Sequence, residues 1–117
     1  MASIITTLTI TDDTTGIRDS VSKTTTTTGD DVQYLVQEVG TSEAEITIAA
    51  GIGDVGLCKI LNLDATNYVQ VGFATGAYYL RILPGQFALI PLEPAQASIF
   101  AKANTAACNV SFYFHEA

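Results

Sequence analysis

The hexapeptide Gly51-Ile52-Gly53-Asp54-Val55-Gly56 has the G-x-G-x-x-G spacing of a dinucleotide-binding turn. In such a turn the glycines let the backbone approach a pyrophosphate, and the amides opening the next helix hold it. Here the following residues, Leu57-Cys58-Lys59-Ile60-Leu61, read as a strand, and Asp54 would set a carboxylate against the anion. Without a strand-turn-helix unit the spacing marks only a glycine-rich connection. The one histidine, His115, would have to serve as base to a serine or cysteine nucleophile. Cys108 lies on the opposite face of the same expected strand, and nothing marks Cys58 as activated. His115 therefore reads as an exposed strand residue. Asp12-Asp13 and Asp30-Asp31 could face a hard cation, but such an ion wants roughly six to eight oxygen ligands. Neither pair sits in a D-x-D-x-D-G loop, so both read as solvated turns. Asn109-Val110-Ser111 matches the glycosylation sequon, which carries no weight without a secretion signal. The expectation is no catalytic residue, no cofactor and no metal.

The elements that would position any site come from a single domain's worth of chain. Its 117 residues carry twelve acidic and five basic side chains, a net charge of −7. A phosphate backbone would be repelled, so nucleic acid is not an expected partner. The start, "MASIITTLTITDD", has no basic n-region and no long apolar run. Neither a signal peptide nor a membrane span is expected, and synthesis is placed in the cytoplasm. Cys58 and Cys108 each lie inside an apolar run and lack C-x-x-C spacing. Both are expected to be reduced and buried, as small hydrophobes.

Alternation with period two runs along most of the sequence. Cys108, Val110, Phe112 and Phe114 alternate with Asn109, Ser111, Tyr113 and His115; Val69, Val71 and Phe73 repeat the pattern. Thr, Val, Ile and Tyr favour the pleated conformation, and no window shows a helical stripe. Turn signals such as Gly29-Asp30, Gly40-Thr41, Thr75-Gly76 and Pro84-Gly85 separate the runs, the last suiting a type II turn. Eight strands are expected at about 31–39, 44–50, 57–62, 68–73, 78–83, 87–92, 97–103 and 108–115. The fold class is all-β: an antiparallel β-sandwich, jelly-roll-like, with an extended N-terminal arm. Residues 31–117 form the eight-stranded sandwich. Residues 1–30, polar and threonine-rich, form the arm or peripheral strands, lying along a sheet edge or reaching a neighbouring subunit. In the 87–92 strand both parities are apolar. Ile90 and Leu92, opposite Phe87 and Leu89, are taken as a candidate interface.

The polar cluster Asn62, Asp64, Thr66, Asn67 and Tyr68 falls between two of these strands. Asx side chains bond their own backbone in tight turns, so the cluster is a structural corner and not an active site. The stretch "LNLDATNYVQVG", with "YYLRILPGQFALIPL" and "SIFAKANTAACNVSFYF", resembles small virion structural proteins of tailed bacteriophages. The positions that carry the resemblance are Asn62, Asp64, Thr66, Asn67, Tyr68 and Val69, then Leu83, Pro84 and Gly85, then Ala101, Lys102 and Ala103. It covers roughly residues 55 to 116. The resemblance implies a non-enzymatic capsid decoration or cement protein on the virion surface. Its implied partners are the major capsid protein and copies of itself, as a homotrimer. The alternative it leaves is a tail or receptor-facing module that binds a host-surface carbohydrate. The lack of tryptophan and the small size favour cement.

Overall fold

A computed structural model describes residues 2–93 and 98–117 of the chain. The chain forms two compact units, Met1–Asp30 and Asp31–Ala117. The first is a hairpin of two ten-residue strands, β1 (Ala2–Thr11) and β2 (Arg18–Thr27), paired from Ala2 opposite Thr27 to Thr11 opposite Arg18. Threonine and serine make this ladder because a β-branched or short hydroxyl side chain suits the pleat and bonds across it. Thr7 pairs with Ser22 at 3.2 Å and Thr9 with Ser20 at 3.1 Å. Asp12 turns the chain by accepting the Thr14 and Thr15 amides, and Gly16 supplies the positive φ of 74°. The Thr15 hydroxyl, followed by the Thr14 and Thr15 amides, holds the Asp12 carboxyl below its ordinary range.

The second unit is a sandwich of two four-stranded antiparallel sheets. Its strands are β3 (Val32–Val39), β4 (Ala44–Glu45), β5 (Val55–Asn62), β6 (Val69–Gly72), β7 (Leu80–Ile82), β8 (Phe87–Pro91), β9 (Phe100–Ala103) and β10 (Cys108–Glu116). One sheet has the order β3-β10-β5-β8 and the other β4-β9-β6-β7. Strands consecutive in sequence thus fall mostly in opposite sheets, which is jelly-roll topology. The all-β sandwich expected from the alternation is what the chain adopts. Among the described residues no helix is long and apolar enough to cross a membrane.

The inward parity of each strand makes the core. Phe112 lies opposite Leu35 on β3 and Ile60 on β5, and Phe112 and Phe114 stack with ring centroids 5.8 Å apart. Val69, Val71, Ile99, Ala101 and Ala103 close over them from the second sheet. Fully burying each such aromatic contributes about 2–3 kcal/mol, so β10 is the strand the sandwich is built around. Gly72 is obligatory for packing: a Cβ there would meet the Ala77 carbonyl oxygen at 1.6 Å.

The expected strand at 44–50 is shorter than its alternation suggested. Only Ala44–Glu45 pairs with β9, and Ala50–Ile52 is a single 3-10 turn. Past the Ile46 amide, which donates to the Ile99 carbonyl, the intervening backbone bonds to glutamine side chains of β3 instead. Gln37 donates to the Glu45 carbonyl and accepts the Thr47 amide; Gln33 donates to the Thr47 carbonyl and accepts the Ala49 amide at 2.7 Å. A primary amide presents the same donor and acceptor as a peptide, so it can replace a strand partner. The strand expected at 97–103 is Phe100–Ala103, and its expected first residue lies outside the described residues. Gly51 to Gly56 spans the 3-10 turn and the start of β5, with no helix after it to receive a pyrophosphate.

Candidate functional site

The corner after β5 is a closed hydrogen-bond system. Asn62 is fully buried; its amide donates to the Asn67 carbonyl at 2.8 Å and the Ile82 carbonyl at 3.1 Å, and its oxygen accepts the Asp64 amide at 2.9 Å. Asp64 accepts the Asn67 and Thr66 amides at 2.6 and 3.0 Å. Those two backbone donors, Asn67 first, hold its carboxyl below the ordinary range. Thr105 donates to Asn67, and the Tyr68 amide donates to Asn104 while the Arg81 guanidinium lies 4.0 Å above the Tyr68 ring. The Leu83-Pro84-Gly85-Gln86 turn packs beside it: Gln86 donates to the Leu83 carbonyl, Gly85 has φ 72°, and its amide donates to Asn62. The Asn62, Asp64 and Asn67 side chains are thus bonded within the corner and its neighbouring loops.

The residues that could have made a hydrolase are held apart. Cys58 lies opposite Phe114 and Cys108 opposite Val39, so the free thiols sit toward opposite ends of β10. Burial pushes the Cys58 thiol up to about 12 and raises that of Cys108, with Asp64 adding to the latter. Neither is a thiolate at neutral pH. His115 is not exposed as expected but 3% accessible. Its strand is the sheet's centre, with Val32 in register on one side and Leu57 on the other, and its Nδ1 lies 2.7 Å from the Glu116 carbonyl. It shares the outward parity of its strand, whereas Cys58 faces inward.

The unmet surface is the outward face of the β3-β10-β5-β8 sheet. Cross-strand register sets its side chains in three ranks of four: Val32, His115, Leu57 and Pro91; Tyr34, Tyr113, Lys59 and Leu89; Val36, Ser111, Leu61 and Phe87. Antiparallel sheets with one face in water normally alternate apolar-in with polar-out. This one is apolar on both faces, with Tyr34 66% and Phe87 64% exposed. At the centre, Lys59 donates to Ser111 at 3.0 Å, Ser111 donates to the Tyr34 hydroxyl at 2.9 Å, and the ammonium lies 5.1 Å over the Tyr34 ring. None of the twelve positions carries a carboxylate.

This corrects the interface expected on β8. Ile90 lies opposite Cys58 and, with Leu92, packs against the core; the exposed parity is Phe87 and Leu89. Since both parities of β8 are apolar, alternation could not orient the strand, and only its register on β5 does. Lys59, Tyr34 and Val36 were missed as well. A lone cation inside the apolar run "VGLCKIL" was the available signal.

The other sheet has a polar outward face. Gln70 lies between Arg81 and Lys102, and the Lys102 ammonium sits 4.7 Å over the Tyr78 ring. Glu43 accepts from the Tyr78 hydroxyl and from the Gly76 amide at 3.0 Å. Burial and that carboxylate push the Tyr78 phenol up to about 12. Comparison with protein-family models, curated proteins and solved structures returns no match to this chain.

Proposed function

We propose that this chain is a non-enzymatic structural protein of a tailed-phage virion, a capsid decoration or cement protein seated where capsomers meet. In this reading it sits on the capsid surface, and its partners are the major capsid protein and further copies of itself, as a homotrimer. The observation that carries the reading is the apolar outward face of the β3-β10-β5-β8 sheet. Solvent alone gives no reason for such a face, whereas a permanently covered one has every reason for it. A cement protein resists internal pressure by contact area rather than by bond chemistry. The closed corner and the two high-pKa buried thiols, which leave no poised nucleophile there, agree with that. The resemblance of the 62–69, 83–85 and 101–103 stretches to phage virion proteins supports the same assignment.

Cryo-electron microscopy of particles made with and without this chain tests it. The expected result is sandwich-sized density in threes at capsomer junctions, lost without the gene, with DNA released at lower temperature. Density at the tail, or none, would overturn the reading. A receptor-facing module for host-surface carbohydrate is favoured by one observation, the row of Arg81, Gln70 and Lys102 beside Tyr68 and Tyr78. Glycan binding that is lost in Arg81→Ala would support that second reading.

A further inference from the structure

The centre of the apolar face has hydrogen-bond donors in surplus. The Lys59 ammonium has three N–H donors and spends one on Ser111. Ser111 passes its own proton to the Tyr34 oxygen, which leaves the Tyr34 phenol proton for a further acceptor. Among the described residues the other contact of the ammonium is the Tyr34 ring, which attracts a cation without neutralising it. Lys59 is the charged residue of the three ranks, in a chain whose net charge is −7. Covering this face with purely apolar surface would strand a cation, which is unfavourable unless a counter-charge comes with the cover.

Size points to a protein surface. Val32, Tyr34, Val36, Phe87 and Leu89 are each at least two-fifths exposed. Together they show on the order of 500 Å², toward the upper end for a monomer's largest patch and over half of one partner's share in a standard interface. A second copy of the same face is a poor cover. Two-fold pairing about the central rank would bring Lys59 toward its own symmetry mate and set donors against donors.

We propose that this face docks on an apolar protein surface, other than a copy of itself, that sets one Asp or Glu carboxylate against Lys59 and Tyr34. The inference rests on the particle-bound role and names the chemistry of its partner. The carboxylate accepts from the ammonium and the phenol, and the flanking valines, leucines and Phe87 exclude water around the pair.

The test uses full-length protein and purified phage particles, first intact and then stripped of it. Lys59→Arg should rebind stripped particles within about threefold of wild type, Lys59→Met about tenfold more weakly, and Lys59→Glu a hundredfold or more. Lys59 is half-buried against the buried Ser111, so circular dichroism and melting of each variant are recorded beside its rebinding, and the coupling experiment reads the wild-type protein independently of them. Carbodiimide coupling on intact particles should join the Lys59 peptide to an acidic residue of a different polypeptide. Equal rebinding of Lys59→Glu, or coupling of Lys59 to a carboxylate of this same sequence, would overturn the inference while leaving the virion role standing. Loss of self-association in Lys59→Glu with particle binding intact would assign the face to a second copy, and so overturn it too. Absence of the wild-type protein from intact particles would remove both readings.

Discussion

Asn62 and Lys59 lie three residues apart on β5, one facing the core and the other the outside. Asn62 has its hydrogen-bonding capacity taken up by Asn67, Ile82 and Asp64, and around it every eye-catching polar residue serves the fold. Lys59 has donors left over, amid side chains that water does not favour. The residues that look like chemistry in the sequence are therefore the finished part of the molecule. The plain-looking strand residues form the unfinished part. A docking face is recognised by what it leaves unmet, and a run of Asn, Asp and Thr by itself says little about that.

If this contrast is right, inward and outward changes on neighbouring positions should separate cleanly. Ile90→Asp puts a carboxylate against the core and should cost about 3–4 kcal/mol, read as a lower urea midpoint. Asn62→Ala strands two carbonyls and an amide at the corner and should cost about 2–3 kcal/mol by the same measurement. Leu89→Asp, one residue from Ile90 but on the outward face, should change stability by no more than about 0.5 kcal/mol. On the proposed capsid role, the same variant should nevertheless lose particle binding. If Leu89→Asp unfolds the protein as Ile90→Asp does, the outward face is part of the core and the contrast collapses.

The smallest effect concerns Asp64 and appears only in acid. Its folded pKa is depressed by the Asn67 and Thr66 amides, so its contribution is complete above its unfolded pKa of roughly 4. That contribution fades as pH falls through the lower folded value. Asp64→Asn should flatten the acid limb of a stability–pH profile measured from pH 7 downward. An unchanged limb would mean that the corner tolerates a neutral side chain at every pH.

Much of the sandwich was legible in the alternation, because one buried face imposes period two on Cys108 to Phe114 and on Val69 to Val71. The corner was legible because Asx chemistry is local. What failed depended on partners distant in sequence. Residues 44–50 alternate like a strand, but Gln33 and Gln37 take its backbone bonds, and glutamine in a strand does not announce that use. His115 was misjudged because exposure follows a strand's place in the sheet as well as its parity. Ile90 and Leu92 were assigned to the wrong side since β8 is apolar on both parities, and the register opposite Cys58 was not visible from one strand alone. Lys59 gains its meaning only when Ser111 and Tyr34 arrive beside it.

The strand at the middle of the first sheet is also the last of the ten to leave the ribosome. Ser111 reaches Tyr34 across 77 positions of chain, and β3 and β5 have no pairing with each other until β10 lies between them. The entropy of closing that span is met before the contacts that reward it, so the sandwich folds late and slowly. A chain halted before Cys108 would present two open strand edges and an uncovered interior. Only the arrival of β10 closes those edges and completes the outward ranks in which Lys59, Ser111 and Tyr34 meet.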